Sequence, residues 1–153
     1  MPELDIQVNP FMTDALVQMI EAISGNLEET LPESEAIPED DPEFRTIWIE
    51  GLREIQDRDC AILLHILRHR DFGRAAVPFD EETGEALLRS CSTIRLKIQD
   101  SLLKDVAPEQ LEVAQINVQK LDPEQQRGYA CYLFLATLQS LVIRELYPDL
   151  EDL

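Results

Sequence analysis

Two histidines stand four residues apart, His65 and His69, and they are the only ones in the chain. On a helix that spacing turns both imidazoles onto one face, the arrangement from which helical metal sites are built. Zinc needs at least a third ligand. Asp57, Asp71 or a distant glutamate would have to supply it, and no motif selects one. The run His69-Arg70-Asp71-Phe72-Gly73 contains the HRD and DFG strings of protein kinases. Those strings belong on separate loops, whereas here they share Asp71 and no glycine-rich loop precedes them, so the likeness is accidental. Cys60, Cys91 and Cys131 are widely spaced, form no C-x-x-C and lie among aliphatic residues. That context predicts reduced thiols packed in a core. Asp59 is the most unusual acid, because it projects onto the helical face of Ile55, Ile62 and Ile66. An unpaired carboxylate there would cost several kcal/mol, so either the helix breaks or Asp59 meets a cation. Arg95, at the edge of a later apolar stripe, is the expected partner. No G-x-S-x-G elbow, P-loop or E-x-x-H pair occurs, so neither a catalytic residue nor a cofactor site emerges.

These side chains are carried by helices. A first one is expected from Thr13 or Asp14, with Leu16, Val17, Ile20 and Ile23 as its stripe and Gly25-Asn26 at its end. Before it, Leu4 to Val8 alternates over too few residues for more than an edge strand, and Asn9-Pro10 stops it. Asp41-Pro42-Glu43 opens a second helix, along which Phe44, Trp48, Ile55, Ile62 and Ile66 fall on one line at 100° per residue. Gly51 and the polar run Arg53 to Asp59 leave a kink or break open near its middle, and the basic turn Arg68-His69-Arg70 suits its end. Asp80 caps a third helix whose stripe is Leu87, Cys91, Ile94, Ile98 and Leu102. Residues 109–120 carry a weaker helical pattern. Asp122-Pro123-Glu124 launches a last helix ending at Tyr147-Pro148, apolar nearly all round between Tyr129 and Leu146 and therefore expected at the centre of the bundle. The predicted fold is all-α, a single-domain bundle of four to five helices over residues 1–153 with an acidic N-terminal loop.

The loop spans residues 27–41. From Glu28 to Glu43 there are eight acids, three prolines and no base, which opposes burial and favours a solvated segment. Glu28, Glu29, Glu33, Glu35, Glu39, Asp40 and Asp41 are its candidate contacts for a basic partner. The whole chain has 153 residues and a formal charge of −18, from 31 acids and 13 bases. Residues 1–50 account for −12 of that, with thirteen acids and one base. Such a balance argues against nucleic acid or an anionic membrane as partner. Arg68, Arg70 and Arg74 form a small basic patch to which the acidic segment would be complementary. The N-terminus lacks the basic and apolar regions of a signal peptide, and the most apolar stretch, Tyr129 to Ile143, is too short to cross a bilayer. A cytoplasmic protein is expected.

Three stretches carry a likeness. They are Asp40-Asp41-Pro42-Glu43-Phe44-Arg45, VPFDEETGEALLRSCSTIRLKI from Val77 to Ile98, and YLFLATLQSLV from Tyr132 to Val142. In that order they resemble a family of uncharacterised, all-helical bacterial proteins. The matching positions include Val77, Glu82, Glu85, Leu88, Arg89, Arg95, Leu96, Tyr132, Leu135, Leu138, Gln139 and Val142, while Ser92-Thr93 stands where members carry Asn-Asp. Members are often encoded near the adaptor of the Clp protease, so the resemblance implies a link to protein turnover and no family active site. Arg89, Arg95 and Gln139 are its polar positions, expected to hydrogen-bond within the bundle alongside Asp59. The expected function is a non-enzymatic protein-interaction module, using the acidic loop and an exposed helical face to hold a basic or amphipathic protein partner. No cofactor is expected. The alternatives are a small enzyme or metal-binding protein using His65 and His69, and an acidic mimic of nucleic acid.

Overall fold

Helix α1 (Pro10–Ser24) begins where its free amides first find acceptors. Asn9 Oδ1 accepts from Phe11 N at 2.8 Å, and Pro10 occupies the first helical position, where it loses no hydrogen bond. The start thus lies upstream of the expected Thr13 or Asp14, because Asn9-Pro10 acts as a cap as well as a strand terminator. The computed structural model describes residues 1–25, 41–112 and 116–152. The acidic loop, with Glu28, Glu29, Glu33, Glu35, Glu39 and Asp40, lies outside the described residues.

Helix α2 (Pro42–Leu67) runs unbroken through Gly51 and the polar stretch after it. Asp41 caps it by accepting from Phe44 N at 3.1 Å. A two-residue strand, β1 (Glu3–Leu4), pairs antiparallel with β2 (Val77–Pro78), Leu4 opposite Val77. Helix α3 (Glu81–Ser101) follows from the Asp80 cap, and α5 (Pro123–Leu146) from Asp122 and its reciprocal bond with Gln125. Between them, among the described residues, the weak pattern yields α4 (Pro108–Glu112) and a 3-10 turn at Val118–Lys120. A second 3-10 turn, Pro148–Asp152, follows α5.

The result is an all-α bundle. Its core joins Leu16 and Ile20 of α1, Leu63 and Leu67 of α2, Leu87, Cys91, Ile94 and Ile98 of α3, and Leu135, Leu138 and Val142 of α5. Helix α3 packs against α1, α2 and α5, and its interfaces with α2 and α5 are the largest. It therefore takes the central place expected of α5, whose Ala130, Thr137, Ser140 and Ile143 face outward. Gly84 lets α5 close on α3, since a Cβ there would lie 2.5 Å from Leu146 Cδ1. Leu102 sits just past the end of α3 and is only half-buried.

The second helix departs most from expectation. Its buried residues are Asp59, Cys60, Leu63, Ile66 and Leu67, and none of the seventeen before Asp59 is buried. Gly51 sits in this free half, where an added Cβ would meet nothing within 4 Å. Gly51→Ala should therefore raise stability by about 0.5–1 kcal/mol, through the helix propensity alone, as read from urea unfolding at low protein concentration.

Candidate functional site

The line of apolar residues on α2 faces solvent over much of its length. Phe44, Trp48 and Ile55 are 44%, 46% and 48% exposed, and Ile47 between them is 69% exposed. The face that meets α3 is instead set by Cys60, Leu63 and Leu67, about 100° round the helix from the line. Ile62 and Ile66 lie at the boundary of the two faces, Ile62 half-buried and Ile66 buried. Phe44 and Trp48 stack at a tilt, ring centroids 6.0 Å apart.

The line continues into two hollows where the start of α3 comes alongside. The first, about 380 Å³, is bounded by Ile55, Arg58 and Ile62 on α2 and by Glu82, Ala86 and Arg89 on α3. The second is a groove of about 520 Å³, with Ala61, Ile62 and Ile66 on one wall, Val77 and Phe79 on the other, and Arg58, His65, His69, Asp80 and Thr83 around it. An apolar stripe passing into an apolar groove with a charged rim is the shape that receives an amphipathic helix.

Asp59 forms the floor of the first hollow and is 4% exposed. Its partner is Arg89, not Arg95. Arg89 donates from Nε to Oδ2 at 2.8 Å and from Nη2 to Oδ1 at 3.0 Å, a two-point pairing across the α2–α3 interface. That bond raises the Arg89 pKa further, so the guanidinium stays charged. Nearly two turns further along α3, Arg95 belongs to a different network. Its Nη1 donates to Gln139 Oε1 at 2.6 Å and its Nη2 to the Tyr132 hydroxyl at 3.1 Å, and the guanidinium carbon lies 4.5 Å from the Tyr132 ring centre. Gln139 Nε2 donates in turn to Leu88 O and Ser92 Oγ. Asp59, Arg89, Arg95 and Gln139 thus fasten α2 to α3 and α3 to α5, as structural polar residues.

His65 and His69 share the groove but not a metal constellation. His69 Nδ1 accepts from Asp71 N at 3.1 Å, which engages one ring nitrogen in the turn after α2. Among the described residues no three of His, Cys, Asp and Glu gather to hold a metal. Arg68, Arg70 and Arg74 surround a separate cleft with Thr13 and Asp14, and Arg68 also pairs with Glu21 of α1. Asp41 is exposed at the tip of α2.

The three cysteines are buried and free, one each on α2, α3 and α5. Burial, with Asp59 and Asp57 adding to it, pushes the Cys60 thiol up to about 11. Burial also pushes Cys131 up to about 12 and Cys91 higher still. At neutral pH all three are protonated and shielded, so the native protein should leave a chromogenic disulfide reagent unreacted until it is unfolded. Rapid labelling of the native state would contradict this burial.

No helix among the described residues is long and apolar enough to cross a membrane. No family model, curated protein or solved structure matches the chain.

Proposed function

We propose that this chain is a non-enzymatic protein-interaction module that receives an amphipathic helix, basic on its polar side, along α2 and into the groove beside α3. The observation that carries this reading is the stripe of Phe44, Ile47, Trp48 and Ile55, exposed on a half-helix in which no residue is fully buried and continuous with the groove. Large exposed aromatic and aliphatic side chains in a row are what anchor protein interfaces. Glu43 and Glu54 stand exposed on one flank of the stripe and Glu82 lines the first hollow, which favours basic groups on the partner's rim. The resemblance noted above makes a component of protein turnover the class of partner to seek.

A photo-activated cross-linker at exposed His65, inside the groove, tests this in the native cell. The expected product is one predominant adduct with a foreign protein, weakened by salt and abolished by Ala61→Glu on the same wall. A yield no greater than that of a probe at exposed Thr137 on α5 would overturn the reading.

A further inference from the structure

Gly51 lies in the middle of the exposed stripe, between Trp48 and Ile55. Nothing among the described residues requires it, since a side chain there would meet none of them within 4 Å and the backbone is helical. Its effect is a dent in an otherwise bulky ridge. The ridge and the dent match each other under a two-fold rotation. With an antiparallel copy of α2 centred between residues 49 and 50, Trp48 and Gly51 are equidistant from the axis, and so are Phe44 and Ile55. Each Trp48 then lies over the partner's Gly51, and each Phe44 lies beside the partner's Ile55. The small residue permits the close helix approach that a ring needs to be covered on both sides.

The charges follow the same symmetry. Glu43 and Arg58 project on one flank of the stripe, on opposite sides of the midpoint and within two residues of equal distance from it, about 3 Å along the axis. In an antiparallel pair that flank meets itself, so Glu43 of each copy faces the partner's Arg58. Arg58 makes no ion pair among the described residues. Antiparallel alignment also opposes the two helix dipoles.

We propose that the free first half of α2 is a dimer interface, in which two copies of this chain pair antiparallel through Phe44, Trp48, Gly51 and Ile55. The inference rests on the reading of the α2 stripe as an interaction face: the second copy and the foreign helix compete for the stripe, and in the dimer only the groove at Ala61 to His69 stays open to the foreign partner. Such an interface is isologous and closes on itself.

Light scattering across a wide range of protein concentration tests it. The mass of the wild type should rise from one chain to two. Gly51→Leu, which has room in the monomer, should stay folded and hold the mass of one chain throughout. Glu43→Arg and Arg58→Glu should each weaken the dimer about tenfold at low salt, and the combined variant should recover it. A single-chain mass for the wild type at every concentration overturns the proposal, as does a dimer that survives Gly51→Leu. If the wild type is monomeric while His65 still cross-links to a foreign protein, self-pairing falls and the interaction module stands. Loss of both removes the two readings together.

Discussion

Arg89→Ala is expected to destabilise the protein by about 2–3 kcal/mol. The reason lies in what it leaves behind. Asp59 is 4% exposed and spends both carboxylate oxygens on Arg89. Removing one partner of a fully buried pair costs about 3–5 kcal/mol, because the remaining charge is neither solvated nor paired. The Arg89 side chain is itself 53% exposed and borders an open hollow, so water can reach the orphaned carboxylate in part and the cost moves to the lower end. Asp59→Leu should be milder, since the freed guanidinium swings into water while the new side chain packs beside Ile62. Urea unfolding of Asp59→Ala, Arg89→Ala and the double variant should give a coupling above about 1 kcal/mol. Asp59→Ala combined with Arg95→Ala should be additive within about 0.5 kcal/mol, as the two belong to separate networks. Strong coupling to Arg95 and none to Arg89 would refute the pairing.

Gly73→Ala should cost about 2–4 kcal/mol, opposite in sign to the same change at Gly51. Gly73 holds φ at +84°, in the left-handed region where a side chain costs about 1–2 kcal/mol. An added Cβ would also lie 2.9 Å from the carbonyl oxygen of Val8. That neighbour is backbone, and Val8 N donates to Gly73 O at 3.2 Å, so it cannot yield without loosening the bond that ties the segment after β1 to the turn at Gly73. Thermal unfolding of the two variants side by side checks both signs. A neutral Gly73→Ala would mean that the N-terminal segment does not depend on this contact.

The helices were legible wherever a cap and a stripe agreed. Asp80 with Leu87, Cys91, Ile94 and Ile98, and Asp122-Pro123 with the run to Leu146, needed only local rules. Asp59 was legible as an acid requiring a cation, but not its partner. Arg89 and Arg95 both sit on α3, and only the crossing of α2 over α3 decides between them. The stripe of α2 was found and its role was not. Periodicity shows which residues share a face, yet a face can meet a core or a partner with the same pattern. The offset of Cys60, Leu63 and Leu67 from that line was the available signal, because a single helix has one inward direction. The central place given to α5 failed for a related reason: an apolar sequence is permitted in the middle of a bundle but does not have to be there.

The free half of α2 has a kinetic consequence. Most helical stability in proteins comes from tertiary packing, and none of these seventeen residues is buried, Ile49, Leu52 and Gln56 being only partly covered. They are held by the Asp41 cap, the Phe44–Trp48 stack and continuity with the anchored turns after Asp59. Their amides should thus exchange with solvent hydrogen far sooner than those of Leu63 or Leu67, fraying from Pro42 inward while the bundle stays closed. Anything that covers the stripe would slow that exchange, so the segment registers occupancy as a change in its own order.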